Sequence, residues 1–395
     1  MVSGTPVLKR AFFIILFSGI ALGCFLFLYH RPITLTGDQA ALGVTQYIKD
    51  LSHGNRFEVS HVGCDVFGRC TDGQRGDNPT ATLYWRLLAL SKVDPNSKEF
   101  SETFELIKKD PEPNYQIGLW ITYRALKETN NPALAAHWVQ GMVRLILFLK
   151  TSEQTLSKES AQTHINFLGV NGPLRNAYPM LLATMALELV DIIEALSANQ
   201  DEGKDTPTYK RLIEQELNRH GLQSAEWLED SHQLFPKILA YLDVIDREDP
   251  KLRSDKSGNY SYESCWAMMV HARSWKVQHV QSSYEAVEKF FQQASFTTSK
   301  RDDYNFTSAQ MIFPCVMAAR ELQRDKDAHA LMQFLFENLD SPRRKLCAGN
   351  DSMLSFYKND DSKACIGNVK SMADTAWFTY LASGDRGQYI LEEET

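Results

Sequence analysis

The chain has 395 residues, 42 of them basic and 49 acidic, a net charge of −7 and a hydrophobic content of 44%. That much apolar side chain excludes a disordered protein, and the acidic balance argues against a nucleic-acid partner. No GxSxG, GxxxxGK, GxGxxG or HExxH pattern occurs, which sets aside serine-hydrolase elbows, phosphate loops, dinucleotide folds and zinc peptidases.

Residues 11–29, AFFIILFSGIALGCFLFLY, carry no formal charge and lie between Lys9 and Arg10 on one side and His30 and Arg31 on the other. Nineteen helical residues at about 1.5 Å each nearly match a bilayer core of about 30 Å, so a single transmembrane signal anchor is expected. Lys9 and Arg10 keep the tail, residues 1–10, cytoplasmic and put the large domain on the non-cytoplasmic side. Ala21-Leu22-Gly23-Cys24 resembles a lipobox, but the apolar residues after Cys24 are wrong for a mature lipoprotein start. Without Lys9, Arg10 and Arg31 the remainder holds 39 basic against 49 acidic residues, a net −10. That balance argues against anionic lipid as well.

Cys24 falls in the span, which leaves six cysteines in a compartment that permits oxidation. The expected disulfides are Cys64 with Cys70, closing a small loop, and Cys347 with Cys365, across a polar stretch. Cys265 and Cys315 sit inside apolar helical patterns and read as buried free thiols. No CxxC or HxH spacing points to a metal, and no cofactor is expected.

Pro32 stops the membrane helix, residues 30–37 read as a stem, and Asp38 is suited to cap a helix running to about Leu51. Phe57 and Val59 alternate in a short strand or hairpin over 56–62. Helices are then expected over 79–92, 98–108, 115–127, 132–150, 179–196, 208–219, 225–245 with a break at Pro236, 262–275, 283–294, 308–324, 325–338 and 369–382. The domain from 38 to 395 is therefore expected to be all-α. The first half of 179–196 is apolar all round and must be central. Glu188, Asp191 and Glu194 follow along one flank of it. A solvated stripe is expected there rather than a cation site, because no histidine accompanies the acids.

A phrase of aromatic, Pro, any residue, two apolar residues and Ala recurs at 178–183, 235–240 and 313–318. Proline-free versions stand at 84–89 and 377–382, with a looser relative at 265–270. Proline at the first helical position fixes φ, the ring before it wedges against a neighbour, and alanine admits a close helix. Six such starts among about twelve helices resemble the inner helices of an (α/α)6 toroid, the six-hairpin glycosidase-like architecture. The resemblance covers most of the exported chain, as an architecture and not as a catalytic motif.

It implies a funnel lined by the loops that enter the inner helices. Residues 72–78, 171–178, 258–263, 301–307 and 367–374 mix amide, acid, Tyr and Gly, groups suited to sugars. Glu263, Asp303 and Asp374 are the expected catalytic carboxylates, with Arg175, Tyr178, His232, Tyr262, Trp266, Tyr304 and Trp377 as expected substrate contacts. A carboxylate at a helix N-terminus is favoured in its charged form, which suits a base or nucleophile and leaves the proton donor unassigned. The expected function is a membrane-anchored glycoside hydrolase or polysaccharide lyase acting on a poly- or oligosaccharide. The alternative is a non-catalytic helical scaffold or binding protein at a membrane surface.

Overall fold

The computed structural model describes residues 33–50, 59–63, 74–75, 79–109, 117–152, 178–197, 206–248, 262–293, 312–336 and 369–391. The expected membrane span lies outside them. In chain order the elements are β1 (Ile33–Thr36), α1 (Gly37–Asp50), β2 (Val59–Gly63), β3 (Gln74–Arg75), α2 (Pro79–Val93), α3 (Lys98–Lys109), α4 (Gly118–Thr129) and α5 (Pro132–Ser152). They continue with α6 (Tyr178–Leu196), α7 (Thr208–Arg219), α8 (Ser224–Glu248), α9 (Tyr262–Gln278), α10 (Gln281–Gln293), α11 (Phe313–Glu321), α12 (Asp325–Phe336), β4 (Val369–Ser371), α13 (Met372–Ala382) and β5 (Gln388–Leu391).

Six of these helices are apolar around most of their circumference, so they have to be covered on all sides. In α2, α6 and α11 the runs 82–91, 182–193 and 312–319 are buried without interruption. These six pack in a cycle: α2 on α4, α4 on α6, α6 on α9, α9 on α11, α11 on α13, and α13 back on α2. Each is backed by an outer helix, α3 on α2, α5 on α4, α8 on α6, α10 on α9 and α12 on α11, while α1 from the start of the domain covers α13. The outer helices are two-faced; α3 buries Phe100, Phe104 and Ile107 and turns its lysines outward.

Contacts between inner neighbours advance in step along both chains. Tyr84 lies against Gly118 and Lys92 pairs with Glu128; Arg124 pairs with Asp191 and Lys127 with Glu194. Cys265 meets Cys315 and Arg273 meets Glu321, Phe313 stacks on Trp377 and Arg320 reaches the Leu381 carbonyl. Trp85 and Lys92 meet Trp377 and Tyr380. The six inner helices are therefore parallel.

Four inner helices turn into outer ones over a few residues, at 94–97, 130–131, 279–280 and 322–324, three times through a left-handed non-glycine residue: Asn130, His279 and Gln323; between α6 and α8 stands α7. The Asn130 and His279 amides donate to Leu126 and Trp275 carbonyls at 2.8 Å, closing helix ends that would otherwise leave free acceptors. Returns to the next inner helix take more chain: residues 51–78, 110–117, 153–177, 249–261, 294–312 and 337–371 separate them. Connectivity brings all six returns to the N-terminal end of the inner helices.

A small antiparallel sheet marks each end. β3, β2 and β4 pair where the chain enters α2 and α13. At the C-terminal end β1 pairs antiparallel with β5, Ile33 opposite Leu391 and Thr36 opposite Gln388. Thr36 and Gln39 exchange side-chain and backbone hydrogen bonds of 2.9 and 3.3 Å, so Thr36 caps α1. Asp38, the expected cap, instead accepts from the Gly384 amide, while its own amide donates to the Asp385 carbonyl. Gly37 is required at this closure, since a Cβ there would stand 2.6 Å from the Ala382 carbonyl oxygen.

Three further expectations need correction. α8 runs through Pro236 without ending, because Pro236 and His232 both face solvent, where water can serve the carbonyl that loses its donor. The phrase at 235–240 is accordingly mid-helix on an outer element, and α4, which lacks the phrase, is the inner helix it was standing in for. Val369–Ser371 extends as β4 before α13 begins. Among the described residues the helix long and apolar enough to cross a membrane is Pro132–Lys150 within α5. There it buries Leu134, Trp138, Met142, Ile146 and Leu149 while Gln140, Arg144 and Lys150 face outward, as an outer helix should.

Candidate functional site

The interior of the cycle is built in two tiers. In the first, Trp377 of α13 sits on the axis with ring centroids 5.3 Å from Trp85, 5.1 Å from Trp120, 6.0 Å from Trp266 and 5.7 Å from Phe313. Five inner helices thus meet on one indole. Aromatic pairs at such separations gain about 0.5–1.5 kcal/mol each beyond burial of area. The indole N–H groups of Trp120 and Trp377 are fully buried and have no hydrogen-bond partner among the described residues.

One to two turns further toward the helix C-termini the lining becomes ionic. The Arg124 Nη2 donates to both oxygens of Asp191 at 3.0 and 3.1 Å. Arg273 Nη2 donates to Asp191 and to Glu194, each at 2.8 Å, and Nη1 reaches Glu321 at 3.4 Å. Lys127 and the Tyr123 hydroxyl complete the shell of Glu194 at 3.2 and 2.9 Å. Burial drives the Glu194 carboxyl up, but Arg273, Lys127 and Arg124 outweigh it and hold the group well below the usual carboxylate range. Arg124 also lies 5.3 Å from the Trp120 ring centre, linking the two tiers.

The stripe Glu188, Asp191 and Glu194 is therefore not solvated. Asp191 is 1% and Glu188 6% exposed, Glu194 is half-buried, and all three lie among partners distant in the chain. Glu188 Oε1 accepts from the Trp120 amide at 3.4 Å, at the start of α4, where Ile117 offers no capping side chain. Burial pushes the Glu188 carboxyl up well above its usual value, and the amide bonds from Trp120 and Leu119 offset only part of that. Among the described residues no three His, Cys, Asp or Glu side chains are grouped to hold a metal ion.

The expected site residues separate clearly. Tyr262, Glu263 and Trp266 open α9, and Asp374 and Trp377 lie in the first half of α13. Glu263 and Asp374 each stand three residues, one helical turn, before a tryptophan that meets its counterpart on the axis. They therefore belong to the same end of the cycle. Asp374 is fully buried in the first turn of α13, and Trp266 and Trp377 are buried in the aromatic tier. Tyr178 begins α6 at that end. His232 does not join them: it is exposed on the outer helix α8. Arg175, Asp303 and Tyr304, and the pairs Cys64 with Cys70 and Cys347 with Cys365, lie outside the described residues.

Cys265 and Cys315, read from the sequence as free thiols, form a disulfide between α9 and α11, with Cα atoms 4.7 Å apart. Each lies in the first turn of its helix, and parallel neighbours bring such positions to one level. The signal available was that consecutive inner helices start with a cysteine.

A concavity lies at the opposite end. It encloses about 680 Å³ between Lys92, Arg320, Asp325, His329 and the loop Ser383–Gly387. Asp385 organises it, accepting from Arg320 and, at 2.7 Å, from the Tyr389 hydroxyl. No protein-family model matches this chain, and no curated protein or solved structure matches it either.

Proposed function

We propose that the cycle of six parallel helices with outer partners is an (α/α)6 toroid of the six-hairpin glycosidase-like kind. The chain is then a carbohydrate-active protein, a glycoside hydrolase or polysaccharide lyase, held to a membrane by residues 11–29 with its large domain on the non-cytoplasmic side. One observation carries this reading: Glu263 and Asp374 start two inner helices at the end where all six long returns arrive. Catalytic groups are commonly carried on loops and element ends positioned by a rigid scaffold. Asp303 belongs to the same proposal through its place before α11.

The complete burial of Asp374 favours the rival reading, a non-catalytic scaffold, because an acid must reach the reacting atoms to act on them. The two separate on activity. The full chain in detergent is incubated with neutral and acidic polysaccharides, and new reducing ends and unsaturated products are both measured. Glu263→Gln or Asp374→Asn is expected to lower turnover by about 10²–10⁴-fold in a folded protein. Glycan binding without turnover, unchanged in both variants, establishes the scaffold instead.

A further inference from the structure

The cleft of about 680 Å³ at the C-terminal end of the inner helices is walled by α2, α11, α12, the loop Ser383–Gly387 and Tyr389 of β5. Small-molecule sites commonly enclose about 300–1,000 Å³. The loop wall is fixed by its own bonds. Gly384 takes a left-handed φ of 84° and its amide donates to Asp38, while the Gly387 amide donates to Asp385 at 2.8 Å. A Cβ at Gly387 would crowd the Tyr389 hydroxyl at 2.8 Å and Asp385 Oδ1 at 3.0 Å, so glycine lets the loop fold back on that pair. Tyr389 is itself buried and stacks on Phe336 and His329, with centroids 4.1 and 4.8 Å away. A wall set in advance lowers the ordering cost of binding.

Donors outnumber acceptors in this cleft. Asp385 is already saturated: Oδ2 accepts from Arg320 at 2.5 Å and from the Tyr389 hydroxyl at 2.7 Å, and Oδ1 accepts from the Gly387 amide. Arg320 gives a further N–H to the Leu381 carbonyl and Lys92 gives one to Glu128 at 2.9 Å, yet both keep N–H groups over. Arg386 is exposed at the lip, and among the described residues it has no hydrogen-bond or ion-pair partner. Lys92, Arg320 and Arg386 against Asp325 and Asp385 leave the lining one positive charge in excess, in a chain of net charge −7.

We propose that this cleft binds a small hydroxylated carboxylate, its carboxylate held by Arg386, Arg320 and Lys92 and its hydroxyls along Ser383 and His329. The planar fork of a guanidinium matches a carboxylate with two parallel hydrogen bonds. One carboxylate also balances the excess charge of the lining. A phosphate monoester, carrying about −1.5 to −2 at neutral pH, leaves negative charge over beside Asp325 and Asp385. Ser383 and His329 both line the cleft and can exchange hydrogen bonds with hydroxyls of either polarity. The site lies at the end of the cycle away from Glu263 and Asp374, and its occupancy does not require the glycosidase-like reading.

Calorimetry on the full chain in detergent compares three ligands that share one body: glucuronate, glucose 6-phosphate and glucose. Glucuronate is expected to bind with a Kd of about 1 mM or tighter, and at least about tenfold more tightly than glucose. Arg386→Ala is expected to weaken glucuronate binding about tenfold or more. Arg386 is exposed and its removal breaks no described contact within the fold, so an unchanged thermal unfolding midpoint accompanies that loss. Tighter binding of glucose 6-phosphate overturns the carboxylate, and equal binding of glucose overturns the anion. Glucuronate binding undiminished in Arg386→Ala places the ligand elsewhere, and absence of binding at about 10 mM removes the site. None of these readings depends on polysaccharide turnover, which fails or succeeds separately.

Discussion

The aromatic tier and the ionic tier solve the same problem, holding parallel helices around an axis, by different physics. Trp377 gathers α2, α4, α9 and α11 by contact alone. Its attraction is short-ranged and tolerant of small shifts along the helices. The charges instead tie α4, α6, α9 and α11 through donors and acceptors that meet only in one register. Among the described side chains α6 brings no aromatic ring to Trp377, and the helix is fixed by Asp191 and Glu194. The aromatic tier thus supplies burial, and the ionic tier supplies alignment at a desolvation cost its members repay to one another only when all are present.

Each tier has one hub, Trp377 in the first and Arg273 in the second. Trp377→Ala is expected to lower stability by about 3–5 kcal/mol through lost contacts and a cavity, with little change in that loss between pH 4 and 8. Arg273→Met leaves Asp191, Glu194 and Glu321 short of a cation, a loss of about 3–5 kcal/mol at pH 7. That loss is expected to shrink in acid, as the stranded carboxylates take up protons. Urea titrations at both pH values check the pair, and an acid-insensitive loss for Arg273→Met contradicts the assignment of the second tier.

A finer test compares two glutamates on one helix. Glu194 is held below its ordinary value, so its contribution is complete above an unfolded-chain pKa of about 4.3 and is lost as the pH falls below that. Glu188 is pushed up, so it favours the folded state in acid, and that advantage is lost as the pH rises through about 4.3 and beyond. Glu194→Gln is therefore expected to cost about 1–3 kcal/mol at pH 7 and less at pH 3. Glu188→Gln, which keeps an acceptor for the Trp120 amide, is expected to gain on the wild type as the pH rises from 3 to 7. Differences that move with pH in the same direction for both variants remove the distinction between capping and pairing.

Helical periodicity was enough to place most of the helices, because an apolar stripe at 3.6 residues per turn is a local property. Helices apolar all round announce that they are central, and five of the six phrases do fall on inner helices, in the first turn or so of α6, α9 and α11 but in the middle of α2 and at the end of α13. The phrase failed at Phe235 and missed α4 because it reads only six adjacent residues, whereas burial all round depends on which neighbours arrive. Neighbours are a long-range matter. Glu188, Asp191 and Glu194 looked like a solvated flank since their partners Trp120, Arg124 and Arg273 lie some 70 to 80 positions away in the chain. For the same reason Cys265 and Cys315 could not be matched across a separation of 50 residues.

What the residues determine locally is the charge-free stretch at 11–29, the predominance of helix among the described residues, and the helix starts at Pro79 and Pro132, because hydropathy, helical periodicity and proline geometry act within a few residues. What only tertiary structure decided is the cyclic order of the inner helices, the pairing of buried charges, the disulfide, and the joining of Ile33–Thr36 to Gln388–Leu391, since each depends on segments whose meeting costs chain entropy and is recovered only once the whole cycle closes.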